Sequence, residues 1–166
     1  MSDILCVYYS RTGRTEKAMG EIARALDAEL VKIEDGQDRS KLRGYLRSGM
    51  EAMSKKLCPI APLQTERPLQ DYRLVIIGTP VWAGRCSSVV RAFLRAYGQR
   101  LQAVSYVVTR SGEGKFQDVY RQMDQYVTDP HLTDVSLRLD SVGCDFWREE
   151  FLRQTREVLS GGREEK

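Results

Sequence analysis

Hydrophobic positions along this chain come in two alternating kinds of run. Ile4 to Tyr9 is continuously apolar between polar neighbours, the pattern of a central parallel strand covered on both faces. Thr15, Ala18, Met19, Ile22, Ala23 and Leu26 then recur at helical spacing, with Glu16, Lys17, Glu21 and Arg24 on the opposite side, which predicts an amphipathic helix. Glu29 to Glu34 alternates as a shorter, less buried strand. The unit repeats: a continuous run from Leu74 to Ile77 ends at Gly78, and Val89, Val90, Phe93, Leu94 and Tyr97 mark the next helix. Ala103 to Thr109 is a third such strand, followed by a glycine-containing loop and a helix over about 116–127. A final strand near Leu132 to Leu139 leads to a helix carrying Phe146, Trp147, Phe151, Leu152 and Leu159.

Strands alternating with helices imply right-handed parallel crossovers, so the expected α/β architecture is a three-layer sandwich around a five-stranded parallel sheet. One connection is long. Asp35 to Asp71 holds Leu42, Tyr45, Leu46, Met50, Met53 and Leu57 at helical spacing, weakened by Gly44 and Gly49, and then an extended piece with Pro59, Pro62 and Pro68. It reads as a crossover helix plus a surface strap, with a lid over a ligand as the minority reading. Residues 160–166 read as a frayed tail.

Composition narrows the classes. The 166 residues fit one domain spanning 1–166, long enough to bury a substantial core without disulfides or a structural metal. With 42% apolar and 30% charged residues and a net charge of +3, the chain has neither the basic excess nor the interleaved aromatics of a nucleic-acid binder. The first apolar run is too short for a signal peptide or a membrane span, so a cytoplasmic location is expected. Cys6, Cys58, Cys86 and Cys144 are scattered, with no C-x-x-C and only His131 to help hold a metal; they read as reduced packing residues.

The abrupt change after Tyr9 carries the chemistry. A loop leaving a central strand and entering a helix gathers unpaired backbone N–H groups at the positive end of the helix dipole. Ser10, Thr12 and Thr15 add hydroxyl donors, and Gly13 lets the backbone turn close to a ligand, which together suit a phosphate. A turn plus a helix cap is the plain alternative, but three hydroxyls and a glycine exceed what capping needs. G-x-x-x-x-G-K-[ST] and a G-x-G-x-x-G after the first strand are both absent, and no cysteine has the spacing of a cysteine-phosphatase loop.

The stretch SRTGRT, Ser10 to Thr15, resembles the S/T-x-T-G-x-T loop of the flavodoxin family, which holds the 5′-phosphate of FMN. The resemblance implies that Ser10, Thr12, Gly13 and Thr15, with the backbone of Arg11 and Arg14, bind the phosphate, and that the sheet has the order 2-1-3-4-5. GTPVWAG, Gly78 to Gly84, stands where the family places its first flavin-ring loop. There Pro80, Val81, Trp82, Ala83 and Gly84 are implied as contacts, with Trp82 offering an aromatic face from a loop beyond the strand end. TRSGEGK, Thr109 to Lys115, holds the place of the third loop, implying Thr109, Arg110, Ser111, Gly112 and Gly114. That loop is shorter than in electron-carrying flavodoxins and has no tyrosine to cover the second ring face.

Arg11, Arg14, Arg85, Arg110 and Lys115 fall in or beside these loops, against Glu113 as their one acid. Electron-carrying flavodoxins are typically acidic; a positive surround instead favours a fully reduced, anionic flavin, and suits an anionic nicotinamide donor and a small acceptor such as a quinone. The resemblance therefore leans toward an FMN-dependent NAD(P)H oxidoreductase, with an electron carrier docking on a partner reductase as the alternative. A homodimer is a further possibility carried by the resemblance. No acid–base pair is evident and no catalytic residue is assigned; Cys86, at a helix start, reads as a packing residue before a reactive thiol.

Overall fold

The computed structural model describes residues 2–35, 60–114 and 116–161. Its elements in chain order are β1 (Ile4–Tyr8), α1 (Arg14–Leu26), β2 (Glu29–Lys32), a 3-10 turn at Leu69–Asp71, β3 (Leu74–Trp82), β4 (Arg85–Cys86), α2 (Ser88–Tyr97), a 3-10 turn at Gly98–Arg100, β5 (Val104–Thr109), α3 (Gln117–Asp124), β6 (Asp134–Leu137) and α4 (Cys144–Gly161). Five strands pair in parallel in the order β2-β1-β3-β5-β6. Once β4 is set aside, this is the expected 2-1-3-4-5 order. The short β4, which the apolar pattern does not announce, pairs antiparallel with the end of β3.

Strand residues alternate between two cores, as the pleat demands. Leu5, Val7, Val75, Ile77, Tyr106 and Val108 face α2 and α3. Cys6, Tyr8, Leu74, Ile76 and Val107 face α1 and α4. That is the three-layer sandwich. The outer strand β2 alternates half-buried and exposed positions, in keeping with its weaker apolar pattern. The crossover helix over 42–57, the lid reading, Pro59 and Cys58 lie outside the described residues. Of the extended piece, Ile60 and Leu63 pack against the α2/α3 core, and the Ala61 N–H donates to the Glu34 carbonyl at 2.8 Å, so this part is a strap on the body. At the other end, Ser160 and Gly161 continue α4, a correction to the frayed reading; 162–166 lie outside the described residues.

The parallel register decides where the loops leave the sheet. Tyr8, the last residue of β1, lies opposite Gly78, and Thr109, the last of β5, lies opposite Pro80. Helix α1 crosses β3 at close range: a Cβ built on Gly78 would stand 2.5 Å from both Cγ and Sδ of Met19, a side chain with no exposure. Glycine here brings the start of α1 over the sheet.

At the opposite edge, His131 joins α3 to β6. Its Nδ1 lies 2.8 Å from Asp124 Oδ2 and its Nε2 2.9 Å from Asp134 Oδ2, while Tyr106 Oη donates to Asp124 Oδ1 at 2.9 Å. Hydrogen bonding to Asp134, reinforced by Asp124 and opposed by burial, raises the imidazole pKa above its ordinary value.

Two outcomes follow from this packing. Gly78→Ala overpacks the α1–β3 contact and is expected to lower the unfolding free energy by about 1–3 kcal/mol in urea titrations. For His131 the folded-state pKa is the higher one, so its ionic contribution is complete below the unfolded value of about 6.5 and is lost as pH rises through the folded value. The stability gap between the wild type and His131→Gln is therefore expected to shrink between about pH 6 and about pH 9, measured by chemical denaturation.

Candidate functional site

Loop 9–13 makes a sharp entry into α1. Gly13 has φ +94°, a left-handed conformation that a side chain resists, and its N–H donates to Ser10 Oγ at 3.0 Å. The Ser10 hydroxyl hydrogen is thus left to point elsewhere. Lys17 N donates to the Gly13 carbonyl at 3.0 Å as the first internal bond of the helix, so the amides ahead of it belong to the helix start that cannot be satisfied within the helix. Thr15, 2% exposed, shares a hydrogen bond of 2.7 Å with Thr109 Oγ1, at the end of β5. Two hydroxyls joined by one such bond keep one O–H between them for another acceptor.

The second loop is a correction in its geometry. β3 does not stop at Gly78 but runs through Thr79, Pro80 and Val81 to Trp82, then turns back along Arg85–Cys86. The turn residues Ala83 and Gly84 have φ +50° and +72°, the backbone of a tight hairpin turn. Trp82 is accordingly a strand residue, 4% exposed, with its ring edge-on to Tyr9 at 5.5 Å between centroids. It belongs to the α2/α3 core and does not stand free in a loop. Continued pairing with β5 up to Pro80 is what carries the strand past Gly78. Buried Thr79 fastens the hairpin: its Oγ1 accepts from Ser87 N at 2.9 Å, and Ser87 Oγ caps α2 by accepting from Val90 N at 3.1 Å.

In the third loop the Arg110 N–H donates to the Leu137 carbonyl at 3.0 Å, its Nε to Ser136 Oγ at 2.8 Å, and its Nη1 to the Gly112 carbonyl. The guanidinium lies over the Phe116 ring, 5.3 Å from its centroid.

The three loops enclose one cavity of about 440 Å³. Ser10, Arg11, Thr12, Arg14 and Thr15 line it from the first loop, Pro80, Val81 and Trp82 from the second, and Thr109, Arg110 and Ser111 from the third. Gly13, Ala83, Gly84 and Gly112 shape the turns without lining it, and Gly114, at φ +154°, lines a different cavity. Lys115 lies outside the described residues.

The basic rim is partly offset by an acid that the loops do not contain. Arg14 pairs with Asp140 at 3.1 Å, from the segment after β6, and Glu113 pairs with Arg138 at 3.4 Å. Asp140 is remote in sequence and has no local signal. Cys86 is 2% exposed, and burial pushes its thiol up to about 11; it is a protonated packing residue. Among the described residues no cluster of His, Cys, Asp and Glu is placed to hold a metal, and no helix is long and apolar enough to cross a membrane.

A family model described as flavodoxin matches residues 3–142. An NAD(P)H dehydrogenase (quinone) of Cupriavidus metallidurans is 33% identical over 102 residues, covering 59% of this chain and 48% of that protein; the match thus spans about half of the curated relative. Among solved structures, a flavoprotein of Lactobacillus acidophilus in complex with FMN superposes with a TM-score of 0.67 at 19% identity, over 89% of this chain and 99% of the other. A flavoprotein structure from Bacteroides uniformis gives a TM-score of 0.71 at 20% identity, over 93% and 98%.

The site geometry makes two predictions. Ala83→Gly removes the cost of a Cβ at positive φ and is expected to raise the unfolding free energy by about 1 kcal/mol, read from the denaturation midpoint. Native protein treated with iodoacetamide at about pH 8 is expected to leave Cys86 unmodified by mass spectrometry, while urea exposes it to rapid alkylation.

Proposed function

Because the chain belongs to the flavodoxin family, we propose that its cavity holds FMN and that the protein is an oxidoreductase passing electrons from NAD(P)H to a small acceptor such as a quinone. One observation carries this reading: hydroxyls, helix-start amides and two arginines from the first loop meet the exits of β3 and β5 around a single cavity. The donor set fits a phosphate dianion. Ser10 has a hydroxyl hydrogen to give, the Thr15–Thr109 pair has another, Thr12 adds a third, and Arg11 and Arg14 supply positive charge. The name of the Cupriavidus metallidurans relative supports the nicotinamide and quinone parts of the reading.

FMN, when bound, supplies the ability to take up two electrons from a nicotinamide and release them to an acceptor. The chain's own contribution is to hold and expose the ring. Ser10, Thr12 and Thr15 would anchor the phosphate, and Pro80, Val81, Thr109 and Ser111 would frame the ring. Among the described residues lining the cavity, Trp82 is the only aromatic side chain and it is buried, so no aromatic ring of this chain covers the opening. That leaves room for a donor and then an acceptor to approach in turn. Arg110, which among the described residues has no carboxylate partner, favours negative charge in the cavity. Positioning, with no acid–base residue, is the catalytic device.

Purified protein loaded with FMN is expected to be yellow and to bleach rapidly when mixed anaerobically with NADPH or NADH. Colour that persists until a partner reductase is added would establish a carrier and overturn the enzyme reading. Absence of FMN uptake by calorimetry would overturn the cofactor reading as well. Thr12→Ala, which removes an exposed hydroxyl with no role in packing, is expected to weaken FMN binding about tenfold while leaving the melting temperature of the unloaded protein unchanged.

A further inference from the structure

A second cavity of about 600 Å³ lies on the far side of the third loop. Arg110 borders both cavities; the remaining wall comes from α3, β6 and the start of α4. Three features set its chemistry. Trp147, 55% exposed on the first turns of α4, and Phe116 give it aromatic walls. The Arg110 guanidinium, stacked on Phe116, is bonded to neutral oxygens of Ser136 and Gly112 and, among the described residues, to no carboxylate. Finally, the Tyr120 hydroxyl is buried with no hydrogen-bond partner, in a residue 2% exposed. An unpaired buried hydroxyl costs about 1–3 kcal/mol. Here it stands in the wall of a cavity large enough for a ligand to satisfy it.

The balance of charge selects the ligand. Asp134 is the cavity's one carboxylate among the described residues, and its Oδ2 is already bonded to His131 Nε2. Arg110 has no such counterpart. Burial, with Asp134 adding to it, keeps the Tyr120 phenol protonated well above neutral pH, so it is a donor. A donor hydroxyl, an uncompensated guanidinium and two aromatic rings match an oxyanion carried on a flat ring.

We propose that this cavity is a binding site for aromatic carboxylates, with the ring against Trp147 and Phe116 and the carboxylate accepting from Tyr120 and Arg110. The site does not rest on the FMN reading, since only Arg110 is common to the two cavities. Its occupant would nevertheless bear on a wall of the cofactor cavity through that residue.

The test uses the full chain loaded with FMN, or the unloaded chain if FMN fails to bind, titrated with naphthoate and with uncharged naphthamide by calorimetry. Naphthoate is expected to bind without releasing FMN, about tenfold or more tighter than naphthamide. Tyr120→Phe, which removes a hydroxyl with no partner and so leaves folding intact, is expected to weaken naphthoate binding about tenfold while FMN affinity stays at the wild-type value. Trp147→Ala, at an exposed position, is expected to weaken it likewise. Equal affinity for the two probes, unchanged affinity in both variants, displacement of FMN by naphthoate, or no heat at millimolar probe would each overturn the proposal.

Discussion

The buried hydrogen bond between the hydroxyls of Thr15 and Thr109 is the contact on which the candidate site depends. Each hydroxyl would be costly to bury alone, and each is held by a different part of the sheet, Thr15 at the start of α1 and Thr109 at the end of β5. Pairing them draws the first and third loops together across the end of β3. The close approach at Gly78, where α1 lies against the strand with no room for a Cβ, makes that reach possible. The site is thus a consequence of two packing constraints on α1: one at its first turn and one where Met19 crosses the sheet.

Around this frame, charges matter more for the potential they set than for stability. The Arg14–Asp140 and Arg138–Glu113 pairs are exposed, and such pairs contribute about 0–1 kcal/mol each. Their effect is to cancel one loop arginine and the one loop acid, which concentrates the uncompensated charge on Arg110. That residue is tethered by its backbone to Leu137 and by its side chain to Ser136 and Phe116. A fixed cation on the wall common to two cavities is a different object from a mobile one in solvent, because little ordering remains to be done when an anion arrives.

Much of this was legible from residue spacing. Continuous apolar runs are what a strand needs when both faces are covered, and helical periodicity is what its crossover needs, so order, layers and parallel pairing followed from the pattern alone. The first loop was legible for the same kind of reason. Its hydroxyls and glycine act within six consecutive residues, and local backbone geometry is enough to aim them at one point. The match to the flavodoxin pattern added the other two loops in the right order.

Other features depended on partners distant in the chain. Trp82 looked like a loop residue because Pro80 and Gly84 flank it, yet pairing with β5 extends the strand and buries the ring. Asp140 reaches Arg14 across more than a hundred residues, and Tyr120, Asp134 and Trp147 share a cavity wall only because α3, β6 and α4 pack at one sheet edge. The sequence by itself determined the alternation of strands and helices and the phosphate-type loop, because those rest on neighbours one to four residues apart. Tertiary structure alone decided which ring is buried, which arginine keeps its charge and where a second cavity opens, because those are set by contacts between segments that no local pattern encodes.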